Sequence, residues 1–175
     1  MSKRITNNFD PTQEDVREWG YDEDLYFEEQ DEDLLLYSIY YVPTLLDLAE
    51  DVACPKRRYA LFILGQFARE AALYGRSDDL RGLKQLSHSS QLSEPSVKQW
   101  QGYLSRLLAY QQHPFTVEKE EARTMAQDLL LGIGRVGEVM IGNTQPDAWH
   151  FSLVTSVHEA LSINKQTGEY THQYE

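Results

Sequence analysis

The chain has 175 residues and a mass of 20.3 kDa, which suits one domain with a real core. With 41% hydrophobic and 25% charged residues it is globular by composition, not collagen-like or fully disordered, and no apolar run approaches the roughly 20 residues of a membrane span. The net charge of −12 falls entirely in residues 1–51, which hold 15 acids and 3 bases, while the rest balances 13 against 13; such a field repels nucleic-acid phosphates and anionic lipid and steers basic partners.

The first eight residues, Met1 to Asn8, carry two basic residues and no apolar stretch, so a cytoplasmic location is expected. Asp10-Pro11 reads as a helix start, and the segment to Trp19 as a short peripheral helix stopped by Gly20. Tyr21 to Asp33 holds eight acids around Tyr26 and Phe27 and is expected to be an exposed linker or helix entry that closes an acidic N-terminal segment, residues 1–32. From Asp33 to Asp51, apolar residues recur at helical spacing, with Pro43 bending or restarting the helix. Pro55 opens a second helix that Gly75 closes, so residues 33–74 should form an antiparallel helical hairpin.

Further helices are expected from Asp78 to about Leu86, from Pro95 to before His113-Pro114, and from Val117 through Met125, Leu129, Ile133 and Val136 to Met140. Residues 146–163 carry both signals. Phe151, Leu153, Thr155 and Val157 alternate as a strand would, yet no partner strand stands out, and the segment is assigned to helix. Asn164 to Glu175 is expected to be a loose polar tail. The resulting fold class is all-α, a single domain of about six helices.

Each catalytic or ligand motif has a blander competitor. Gly132 to Gly137 fits G-x-G-x-x-G, but it follows a helix and too little chain remains for the doubly wound sheet such a loop serves. His158-Glu159 begins like a zinc-protease signature, but Ser162 replaces the second histidine. Cys54 is alone, which excludes an intramolecular disulfide, and it reads as a packing residue. No cofactor and no metal are expected, and no catalytic residues. A small-molecule or metal site near Trp100, Trp149, His150 and His158, or a generic adaptor role, is the alternative.

The acidic aromatic stretch is the candidate binding site. Tyr21, Tyr26 and Phe27 offer contact area at low entropic cost beside Asp22, Glu23, Asp24, Glu28, Glu29, Asp31, Glu32 and Asp33, a combination that fits a basic partner protein.

Pro43, Leu45, Leu46, Leu48, Asp51, Pro55, Arg58, Ala60, Leu61 and Leu64, over about 40 residues, resemble a HEAT-like helical repeat unit of bacterial proteins. A second copy with this spacing does not occur, so one hairpin rather than a solenoid is expected. Small acidic chains with such a unit look like immunity proteins of polymorphic or contact-delivered toxins. The resemblance implies a tight one-to-one complex, in the cytoplasm, that occludes a basic toxin or effector domain, with no nucleic acid or membrane as partner.

Overall fold

The computed structural model describes residues 3–4, 10–27, 33–89, 92–133, 137–142, 145–154 and 156–174. Strand β1 (Lys3–Arg4) pairs in parallel with β2 (Leu25–Tyr26), and helix α1 (Gln13–Tyr21) lies between them in sequence. Thr12, not Asp10, caps α1: its hydroxyl accepts from Asp15 N, and the Asp15 carboxylate accepts from Thr12 N at 2.7 Å. Val16 and Trp19 are buried, so α1 belongs to the core rather than to the periphery. Gly20 lies within the helix, not after it, and a Cβ there would collide with Leu48.

Helix α2 (Asp33–Tyr37), a 3-10 turn (Ile39–Tyr41) and α3 (Val42–Glu50) follow. Pro43 restarts the helix: it sits in the first turn of α3, where its missing N–H costs nothing. After a short connection α4 (Arg57–Leu73) packs against α3. Residues 60 and 63 to 69 of α4 are all buried, with 71 and 72, a nearly continuous apolar run that marks the central helix of the molecule. Against it pack α5 (Ser77–Ser89) and α6 (Pro95–Tyr110), and α7 (Lys119–Ala126) follows in sequence. Burial of each large residue here, Phe67 and Leu64 at 0% exposure among them, stabilises the fold by about 1.5–3 kcal/mol.

The all-α expectation fails in the last quarter of the chain. The helix expected to reach Met140 turns into a π-helix at Gln127–Leu131 and ends at Gly132, whose φ of +71° no other residue type adopts readily. Four antiparallel strands follow in sequence order: β3 (Val139–Ile141), β4 (Ala148–Leu153), β5 (Ser156–Asn164) and β6 (Tyr170–Tyr174). Residues 146–163, assigned to helix, therefore hold β4 and most of β5, and the expected loose tail supplies β6. The fold is mixed, helices plus an antiparallel sheet.

The register explains the sheet. Trp149 lies opposite Ile163 and Ile163 opposite Tyr170; Phe151 lies opposite Leu161 and Leu161 opposite His172. These side chains, with Val139 and Leu153, form the inner face against α7, the π-helix and α4. The alternate row, Met140, His150, Ser152, Ala160, Ser162, Thr171 and Gln173, faces outward and, Met140 apart, is small or polar.

Candidate partner-binding surface

Residues 21–27 of the acidic stretch are fastened to the helices. One fastener is Lys56, at the start of α4, whose ammonium donates to the Asp22 carbonyl at 2.8 Å and the Leu25 carbonyl at 2.5 Å and lies 5.0 Å from the centre of the Trp19 ring. Leu25 and Phe27 turn inward, at 6% and 4% exposure, and Phe27 packs on Trp19 with ring centres 5.5 Å apart. Phe27, expected to anchor a partner, is thus a core residue. The alternation leaves Tyr26 outward beside exposed Glu23 and Asp24, and half-buried Asp22 accepts from Asp24 N at 3.0 Å.

Tyr21 closes the other end. Its hydroxyl donates to Asp51 at 2.5 Å, while Asp51 also accepts from Ala53 N at 2.8 Å. The bond to Asp51 pushes the Tyr21 phenol up to about 12, and the same bond holds the Asp51 carboxyl below its ordinary value. Buried Cys54 donates to the Gly20 carbonyl at 3.2 Å, and burial raises its thiol, which makes it a poor thiolate.

Of the eleven candidate residues, Tyr21, Glu23, Asp24 and Tyr26 are therefore exposed, with Asp22 half-buried among them. Glu28, Glu29, Asp31 and Glu32 lie outside the described residues, and Asp33 opens α2. Sequence reasoning missed that α1 and α3 extend this surface: Glu14, Glu18 and Asp47 are exposed, and Arg17 bridges α1 to α3 by lying 2.9 Å from Glu14 and 3.8 Å from Asp47. Tyr40, 53% exposed, accepts from Gln13 on α1 through its carbonyl. Only the amphipathic pattern of α1 could have signalled this, since it places Glu14 and Glu18 one turn apart opposite Val16 and Trp19.

The alternative pocket is not assembled. Trp100 is fully buried on α6, while Trp149 and His150, adjacent on β4, point to opposite faces of the sheet. Among the described residues no group of three or more His, Cys, Asp or Glu could hold a metal ion. Glu159, read as part of an incomplete zinc motif, instead pairs with Arg69 in the core, and its Oε1 lies 3.3 Å from His172 Nε2. Arg69 also donates to the Leu129 carbonyl at 2.9 Å, which ties α4 to the π-helix and to β5. Asp128 on that π-helix takes two bonds from Arg106, at 2.7 and 2.9 Å, and one from Tyr110 at 2.7 Å, so the titratable groups of this region are engaged in holding helices and sheet together.

A cavity of about 610 Å³ lies between the starts of α4 and α6, with Leu61, Phe62 and Ile133 as its apolar wall and the Arg57–Glu94 ion pair at its side. No helix among the described residues is long and apolar enough to cross a membrane. Comparison with protein-family models, with curated proteins and with solved structures gives no match.

Proposed function

We propose that the chain is an immunity-type inhibitor: a cytoplasmic binding protein that captures a basic toxin or effector domain and occludes it. The observation that carries this reading is the pair of tyrosines, Tyr21 at 48% and Tyr26 at 45% exposure, set beside Glu23 and Asp24 on a backbone held by Lys56 and Asp51. A merely solubilising charge run needs no such support. A docking surface gains from it, because a segment ordered in advance loses little conformational entropy on binding.

The long-range field of residues 1–51 would draw a cationic surface in, and the tyrosine rings would supply apolar contact once it arrives. The α3–α4 hairpin carries the residues that resemble a HEAT-like repeat unit, and Lys56 and Asp51 tie Tyr21, Asp22 and Leu25 to it. The test is capture from the native host at moderate salt with the wild type and with a Glu23→Gln, Asp24→Asn, Tyr26→Ala triple variant. One basic effector domain retained by the wild type, released by the variant and inactivated by the wild type in its own toxicity assay supports the reading. An effector retained equally by both, or none retained, contradicts it.

A further inference from the structure

We propose that a second copy of this chain pairs with the outer edge of β6, which extends the sheet across a two-fold axis at His172. The hydrogen bond from Asn164 N to the Glu169 carbonyl, at 2.8 Å, sets the phase of the β5–β6 ladder. By antiparallel alternation, Thr171 and Gln173 then bond to β5 through Ser162 and Ala160, their register partners. The N–H and C=O groups of Tyr170, His172 and Tyr174 point the other way. Among the described residues β6 is the last strand of its sheet, and no backbone or side-chain group bonds to those outward amides.

An edge of this kind is a template for strand addition unless it is protected by charge, proline, a bulge or shortness. The opposite edge, β3, is protected by having three residues. The β6 edge has none of these devices: Tyr170-Thr171-His172-Gln173-Tyr174 is uncharged, lacks proline, and keeps an unbroken register with β5.

The occupant that fits is the same strand from another copy. Antiparallel self-pairing about His172 places Tyr170 of one copy opposite Tyr174 of the other, so both strands match over their whole length. Tyr174, 78% exposed in the single chain, would gain an aromatic cross-strand neighbour. Tyr74, 63% exposed, already packs edge-on against His172 with ring centres 6.2 Å apart, and it stands next to the axis. Electrostatics permit the contact, because the whole surplus of −12 sits in residues 1–51 while residues 52–175, which include the entire sheet, sum to zero.

Sedimentation velocity of the full chain over a concentration series tests this. The expected result is a shift from the 20.3 kDa monomer to twice that mass, and a Tyr174→Pro variant, which removes an outward N–H while sparing the β5 ladder, weakens self-association by at least about tenfold. A second variant reads the register. His172→Cys places two thiols across the axis, where a hydrogen-bonded pair has Cα atoms about 5.5 Å apart, so oxidation yields a covalent dimer, whereas Gln166→Cys in the β5–β6 turn does not. A monomer at every concentration, a dimer indifferent to Tyr174→Pro, or equal cross-linking of the two cysteine variants would overturn the proposal.

Discussion

Tyr21 donates its hydroxyl hydrogen to the Asp51 carboxylate at 2.5 Å across thirty residues of sequence, and this bond joins the end of α1 to the end of α3. It makes one side of the acidic surface a property of the tertiary fold rather than of the loop. The pH window follows from the two shifts. Asp51, with its folded pKa lowered, contributes stability above the ordinary carboxylate value near 3.8 that is lost as pH falls through the folded value. Tyr21, with its folded pKa raised from 10.0 to about 12, contributes stability that is full below 10 and lost as pH rises toward 12. In a tyrosinate absorbance titration, the phenol missing from Tyr21→Phe should be one that ionises near the upper value. A missing phenol that ionises at the ordinary value would show that the bond is absent in solution.

Lys56 should matter more than its place in a basic run suggests. Lys56→Met keeps the stem over Trp19 but leaves the Asp22 and Leu25 carbonyls without their donor, at a cost of about 1.5–3 kcal/mol. Urea unfolding reads the loss of stability. Amide exchange should rise selectively over residues 22–27, and uniform protection in the variant would contradict the role assigned to Lys56.

The Arg69–Glu159 pair holds the helical layer to the sheet, with side-chain exposures of 5% and 12%. Arg69→Ala strands Glu159 near His172 and leaves the Leu129 carbonyl unmet, and it should cost about 3–5 kcal/mol. The near-ultraviolet signal of Trp149 on β4 should change as the sheet loosens. A variant within about 0.5 kcal/mol of wild type would mean that the pair is solvated in solution.

Gly168 closes the β5–β6 turn at φ +70°, and a Cβ there would meet the Phe115 ring at 2.7 Å. Gly168→Ala therefore combines backbone strain with overlap and should lower stability by about 1–3 kcal/mol. Thermal unfolding checks it; an unchanged midpoint would contradict the turn geometry.

Much of the helical part was legible because its signals are local: Pro43 in the first turn of α3, Pro55 just before α4, Gly75 just past its end, and apolar residues at helical spacing along α4 and α6. The sheet was not, because its signal is shared between strands. Phe151 and Leu153 alternate visibly, but β3 has three residues, and the inner row of β6 is Tyr170, His172 and Tyr174, which reads as polar. A second local cue was the turn itself, where Asn164 Oδ1 accepts from Gln166 N and Thr167 N ahead of Gly168. At the candidate site the acids and tyrosines were legible from composition, whereas the inward turn of Phe27 depends on Trp19, and the supports from Lys56 and Asp51 depend on contacts some thirty residues apart that no periodicity reveals.

The central claim is that a basic partner is captured through the ordered acidic surface around Tyr21 and Tyr26. Its most direct test is the association rate of the captured effector domain, measured against ionic strength for wild type and for a Glu23→Lys, Asp24→Lys variant. The account predicts a wild-type rate that falls steeply with salt, and a variant rate about tenfold lower at low salt with a flattened dependence. Equal rates and equal salt slopes for the two proteins would contradict it.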